Sequence, residues 1–71
     1  MSERGRVVTG ADIKAVRRYL NLTQDEFREA LGVTLSTIKG WERQQRIPRR
    51  VQYMVRGLLW EMVLKKMFPS G

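Results

Sequence analysis

The stretch from Leu22 to Pro48, LTQDEFREALGVTLSTIKGWERQQRIP, constrains this chain most, because its capping residues alone mark out two short helices and the turn between them. Thr23 suits an N-cap and Glu26 stands three residues on, so each side chain can accept the other residue's backbone N–H in a capping box. Leu22 and Phe27 occupy the positions of a hydrophobic staple around that box. Gly32 follows the predicted helix 24–31 where a left-handed residue lets a helix stop. Val33 and Thr34 then supply the next staple residue and the next N-cap, and Ile38 completes the second staple. A second helix is predicted from Leu35 to about Arg43, with Ile38 and Trp41 turned inward.

The flanking segments also read as helices. Thr9 caps a first helix that runs to about Tyr19 or Leu20, with Asp12 as the capping-box partner and Val8 and Ile13 as a staple. Ile13, Val16 and Leu20 recur at helical spacing and form a core stripe, Arg17 lies at its edge, and Lys14 and Arg18 project away. Asn21 suits a left-handed C-terminal position. After Pro48, Val51, Met54, Val55, Leu58, Leu59, Met62 and Val63 form a core stripe on a last helix from about Arg49 to Met67. A second stripe, Tyr53, Gly57, Trp60, Leu64 and Met67, is spaced four, three, four and three, which groups those residues on roughly the opposite face. One small monomer cannot bury both faces. The pattern therefore predicts a homodimer seam in which Gly57 permits close approach and Trp60 is the anchor; a helix kinked at Gly57 into one core is the other reading.

The expected architecture is all-α, a small bundle of four or five helices. Residues 1–8, with Arg4 and Arg6, read as a flexible basic arm, and residues 9–71 as one domain. A chain of 71 residues builds a core worth only about 3–5 kcal/mol unless something staples it. With no Cys and no His, disulfides and the usual zinc sites are excluded, which leaves oligomerisation. No secretory or membrane-spanning apolar segment is present, so a cytoplasmic setting is expected. The 14 Lys and Arg against 7 Asp and Glu give a net charge of +7 and favour a polyanionic partner. Between positions 39 and 56 Lys39, Arg43, Arg46, Arg49, Arg50 and Arg56 stand against the single acid Glu42, so the excess gathers at the end of the helix predicted from Leu35 to about Arg43.

Leu22-Thr23-Gln24, Gly32-Val33-Thr34, Ile38, Trp41-Glu42, Arg46 and Pro48 together resemble the Cro/repressor-type (XRE-like) helix-turn-helix family. The resemblance spans roughly Ala11 to Pro48 and implies a lambda-repressor-like fold whose second capped helix enters the DNA major groove. It implies that Gln24 lies near the DNA backbone and braces the recognition helix, and that Leu35, Ser36 and Gly40 fall where base edges are touched. It also implies a partly buried structural pair between Arg17 and Glu42. Two positions depart from the family pattern. Arg28 replaces the usual alanine near the helix crossing, and Gln44 stands where glycine or asparagine often ends the recognition helix; a left-handed glutamine there would cost on the order of 1 kcal/mol.

The predicted DNA-facing set is Gln24, Thr34, Leu35, Ser36, Thr37, Lys39, Gly40, Arg43, Arg46, Arg49 and Arg50. Leucine can meet only a thymine methyl, serine is promiscuous and glycine reads nothing, so discrimination is expected to lean on Lys39, Arg43 and DNA shape. Arg46, Arg49 and Arg50 suit phosphates, and the N-terminal arginines suit a minor groove beside the site. These expectations describe a dimeric repressor on a pseudo-palindromic duplex operator, without cofactor or metal. An antitoxin or adaptor whose last helix holds another protein, such as a toxin, is the alternative. A membrane partner is disfavoured because the last helix needs its apolar surface inside. An enzyme is not expected, since Asp12, Asp25, Glu26 and Glu29 serve better as caps and dipole partners than as a carboxylate pair.

Overall fold

Three threonine caps start the first three helices. In a computed structural model, which describes residues 7–68, the elements are α1 (Gly10–Tyr19), α2 (Gln24–Leu31), α3 (Leu35–Arg43) and α4 (Arg49–Met67). Ahead of α1 the Asp12 N–H donates to Thr9 Oγ1 at 3.3 Å and the Thr9 N–H to Asp12 Oδ2 at 2.9 Å. Ahead of α2 the same exchange links Thr23 and Glu26 at 3.1 and 2.8 Å. Thr34 caps α3 by accepting from the Thr37 N–H at 3.2 Å. The turns need left-handed residues at two places, and they are Asn21 with φ 60° and Gly32 with φ 74°. Gln44 ends α3 in extended backbone (φ −74°, ψ 146°), so the conformational cost of a left-handed glutamine never arises.

The helices enclose a small core. Ile13, Phe27, Ile38, Ile47, Val51, Val55 and Leu58 are buried, with Phe27 and Ile38 wholly so, and Trp41 packs against them partly exposed. Helix α1 lies on α3, and α2 lies on both α3 and α4. Arg28, the departure at the helix crossing, turns outward and pairs with Asp25 at 2.9 Å. That hydrogen bond pushes the Arg28 pKa further up from its ordinary value.

Two residues that the sequence pattern does not single out join the start of α1 to the end of the helix-turn-helix. Ile47, between the cations Arg46 and Arg49, is 2% exposed, and its N–H donates to the Val8 carbonyl at 2.8 Å. Gly10 is also buried, and its N–H donates to the Gln44 carbonyl at 2.7 Å. The segment before α1 is thereby tied to the segment after α3. Val8 belongs to this tie, while residues 1–6, where the rest of the basic arm was placed, lie outside the described residues.

Helix α4 runs without a break through Gly57. Val51, Val55 and Leu58 are buried, but Met54, assigned to the core by periodicity, is 38% exposed. Beyond Leu58 no residue of the helix is fully buried, and among its described apolar residues there Met62 alone packs on the core cluster. Leu59 and Val63, also assigned to the core, instead border an open recess with Arg56, Gly57 and Trp60. Every residue from Leu64 to Met67 is exposed, so the last turn of this 19-residue helix covers no core.

Candidate nucleic-acid interface

The geometry of the interface begins at Arg17. Its Nε donates to Glu42 Oε2 at 2.7 Å and its Nη2 to Glu42 Oε1 at 3.2 Å, a two-pronged grip in which the side chains are 12% and 6% exposed. The remaining nitrogen, Nη1, donates to the Leu22 carbonyl at 2.9 Å, at the entrance to the helix-turn-helix. Gln24 adds a bond from Nε2 to Glu42 Oε1 at 3.1 Å. One guanidinium thus ties α1, the α1–α2 turn and the end of α3, and Gln24 ties the start of α2 to the same carboxylate. Glutamine placed here braces α3 through Glu42, a linkage that sequence spacing alone does not contain.

Helix α3 divides cleanly. Ile38 is fully buried and Trp41 half-buried, which turns Ser36, Lys39 and Arg43 to solvent. Thr34 is exposed, but its hydroxyl caps the helix and shares a 2.9 Å bond with the hydroxyl of Thr37, so both are partly committed to the fold. Leu35 is half-buried, not the exposed leucine that the sequence suggested, and Gly40 is half-buried with open space where a Cβ would stand. Among the described residues Lys39 and Arg43 have no acidic partner.

Arg46, Arg49 and Arg50 are exposed around the start of α4. That helix start has Pro48 at its N-cap, no side-chain cap and no acid in its first turn. Two arginines therefore stand where the helix dipole already presents positive charge, a placement that is unfavourable in isolation and favourable beside an anion. The apolar stripe lies farther along α4. Tyr53, Trp60 and Met67 are 58%, 64% and 64% exposed, Leu64 is 36% exposed, and nothing comes within 4 Å of a Cβ built on Gly57.

Two capped helices about a left-handed glycine, the second buried on one face and cationic on the other, are the geometry of a major-groove reader. Residues 13–50 match the family model described as helix-turn-helix, over half of the chain, and the protein belongs to this family of XRE-type DNA-binding regulators. No curated protein and no solved structure matches the chain. Among the described residues no helix is long and apolar enough to cross a membrane.

Proposed function

We propose that the protein is a sequence-specific transcriptional repressor that binds a pseudo-palindromic duplex operator as a homodimer and acts by occupying it. The observation that carries this reading is the outward face of α3, where Ser36, Lys39 and Arg43 stand exposed on a helix held from behind by Ile38, Trp41 and the Arg17–Glu42–Gln24 linkage. Thr34, Leu35, Thr37 and Gly40 complete the surface that approaches base edges. Leu35 and Gly40 contribute shape more than hydrogen bonds, which leaves discrimination to Lys39, Arg43 and the shape of the duplex. Gln24, Arg46, Arg49 and Arg50 fix the register on phosphates.

The stripe of Tyr53, Gly57, Trp60, Leu64 and Met67 forms the two-fold seam, and the recess beside Gly57 receives a large side chain of the second copy. Two recognition helices related by that axis would enter successive major grooves about 34 Å apart. A second reading is favoured by the same exposure of Trp60: an antitoxin or adaptor whose α4 holds a different protein. Equilibrium mass separates the two, since a homodimer supports the first and a monomer the second.

The test is selection of bound duplexes from a random pool at two salt concentrations. Enrichment of a palindrome with half-sites about one helical turn apart is the expected result. Salt-sensitive background binding without enrichment would remove sequence specificity and move the weight to the partner-dependent reading.

A further inference from the structure

Lys14 was read from the sequence as a surface lysine pointing away from the core. In the fold it borders a recess of about 360 Å³ with Gln24 of α2 and with Lys39, Glu42 and Arg43 of α3. The recess is open and polar, and three of its five lining side chains are cations from two different helices. Its one acid is already spent. Both Glu42 oxygens accept from Arg17, and Oε1 accepts from Gln24 as well, so the negative charge is neutralised from the protein side. Lys14, Lys39 and Arg43 have no acidic partner among the described residues. Gln24 Nε2 uses one of its two hydrogens on Glu42, and the other remains for a guest.

We infer that this recess seats a backbone phosphate of the bound duplex, with Lys14 as a phosphate-contacting residue supplied by α1. The inference rests on the DNA-binding reading and adds to it a contact outside the helix-turn-helix. A phosphodiester fits the chemistry: it carries one negative charge with two free acceptor oxygens, and the recess offers donors and positive charge on several sides. A base edge fits less well, because a guanine edge is satisfied by a single lysine or arginine, whereas three cations converging from two helices match an anion. Lys39 and Arg43 stand one turn apart on α3 and line the same recess, so a phosphate held there by Lys14 and Gln24 would fix the angle at which α3 lies in its groove and leave the ends of those two side chains to reach base edges.

The experiment measures the affinity of the full chain for duplex DNA over a range of potassium chloride concentrations, with Lys14→Gln and, as an equally charged control in the last turn of α4, Lys65→Gln. Lys14→Gln is expected to reduce the slope of log K against log salt by about one, and to weaken binding by about an order of magnitude at 0.1 M salt, equally on every sequence. Lys65→Gln should leave the slope unchanged. Duplexes with a single neutral methylphosphonate then locate the contact: at one position per half-site, the loss seen with the wild-type chain should be clearly smaller with Lys14→Gln. A wild-type slope in Lys14→Gln, or phosphonate losses identical for the two proteins at every position, overturns the inference while the DNA reading stands. A wild-type chain that binds no duplex at any salt removes both.

Discussion

The backbone N–H of Gly10 donates to the carbonyl of Gln44 across 2.7 Å, so the first residue of α1 rests directly on the end of α3. A Cβ on Gly10 would fall on the Trp41 carbonyl oxygen and lie within 2.6 Å of the Glu42 carbonyl carbon. Both obstacles are backbone and cannot swing aside. Gly10→Ala is therefore expected to push α1 from α3 and to destabilise the domain by about 1–3 kcal/mol. Urea unfolding checks it, and the midpoint should fall with no change in its denaturant dependence.

Glu42→Gln leaves the Arg17 guanidinium facing a neutral amide in a site that is 12% exposed on the arginine side. Loss of one partner from a fully buried pair costs roughly 3–5 kcal/mol, and the Leu22 carbonyl that Arg17 keeps should hold the loss near the lower end. For a domain of this size that lowers the melting temperature by more than about 10 °C. An unchanged melting temperature would show that the pair is not structural. The apolar double variant Arg17→Met with Glu42→Leu should recover part of the loss, because neither charge then remains without a partner.

Arg49→Glu is expected to act in opposite directions on folding and on binding. At the uncapped first turn of α4 the substitution turns an unfavourable charge into a favourable one, worth about 0.3–1 kcal/mol of stability. It also removes a cation proposed to meet phosphate, so the affinity for duplex DNA and its salt dependence should both fall. Thermal unfolding and DNA titration on the same preparation give the two signs.

Within α4, Gly57→Ala and Trp60→Ala separate folding from association. A methyl at Gly57 meets nothing in the monomer, so alanine should add about 0.5–1 kcal/mol to helix stability. Trp60 is 64% exposed, and its removal should leave the fold of the monomer intact. In the proposed seam, however, truncation of the anchor weakens the dimer by about 2 kcal/mol or more, near 30-fold in dissociation constant. Sedimentation equilibrium over a range of concentrations reads the change, and an identical mass for wild type and Trp60→Ala would exclude the seam.

Arg43→Ala tests direct readout. If this residue selects guanine, the loss should be about 1–3 kcal/mol on the preferred duplex and much smaller on a duplex altered at the contacted base pair. A uniform loss on both would class Arg43 as a phosphate contact.

Much of this protein is determined by local chemistry and is legible in the chain. Thr9, Thr23 and Thr34 start helices because a threonine oxygen can accept a free amide only a turn away, and Asn21 and Gly32 stop them because few residues adopt positive φ cheaply. The cationic run from Lys39 to Arg50 is equally a property of sequence. Tertiary structure decided what depends on contacts between segments distant in the chain. Gly10 read only as the residue after a helix cap until the end of α3 lay on it, and Ile47 only as an apolar residue among arginines until its amide paired with Val8. Lys14 acquired a role only when α1 packed beside α3. Periodicity placed Met54, Leu59 and Val63 in the core because it counts the faces of a helix, not the extent of what the helix packs against. That the last fully buried residue of α4 is Leu58 follows from the small size of the core that four packed helices enclose, which no single segment encodes.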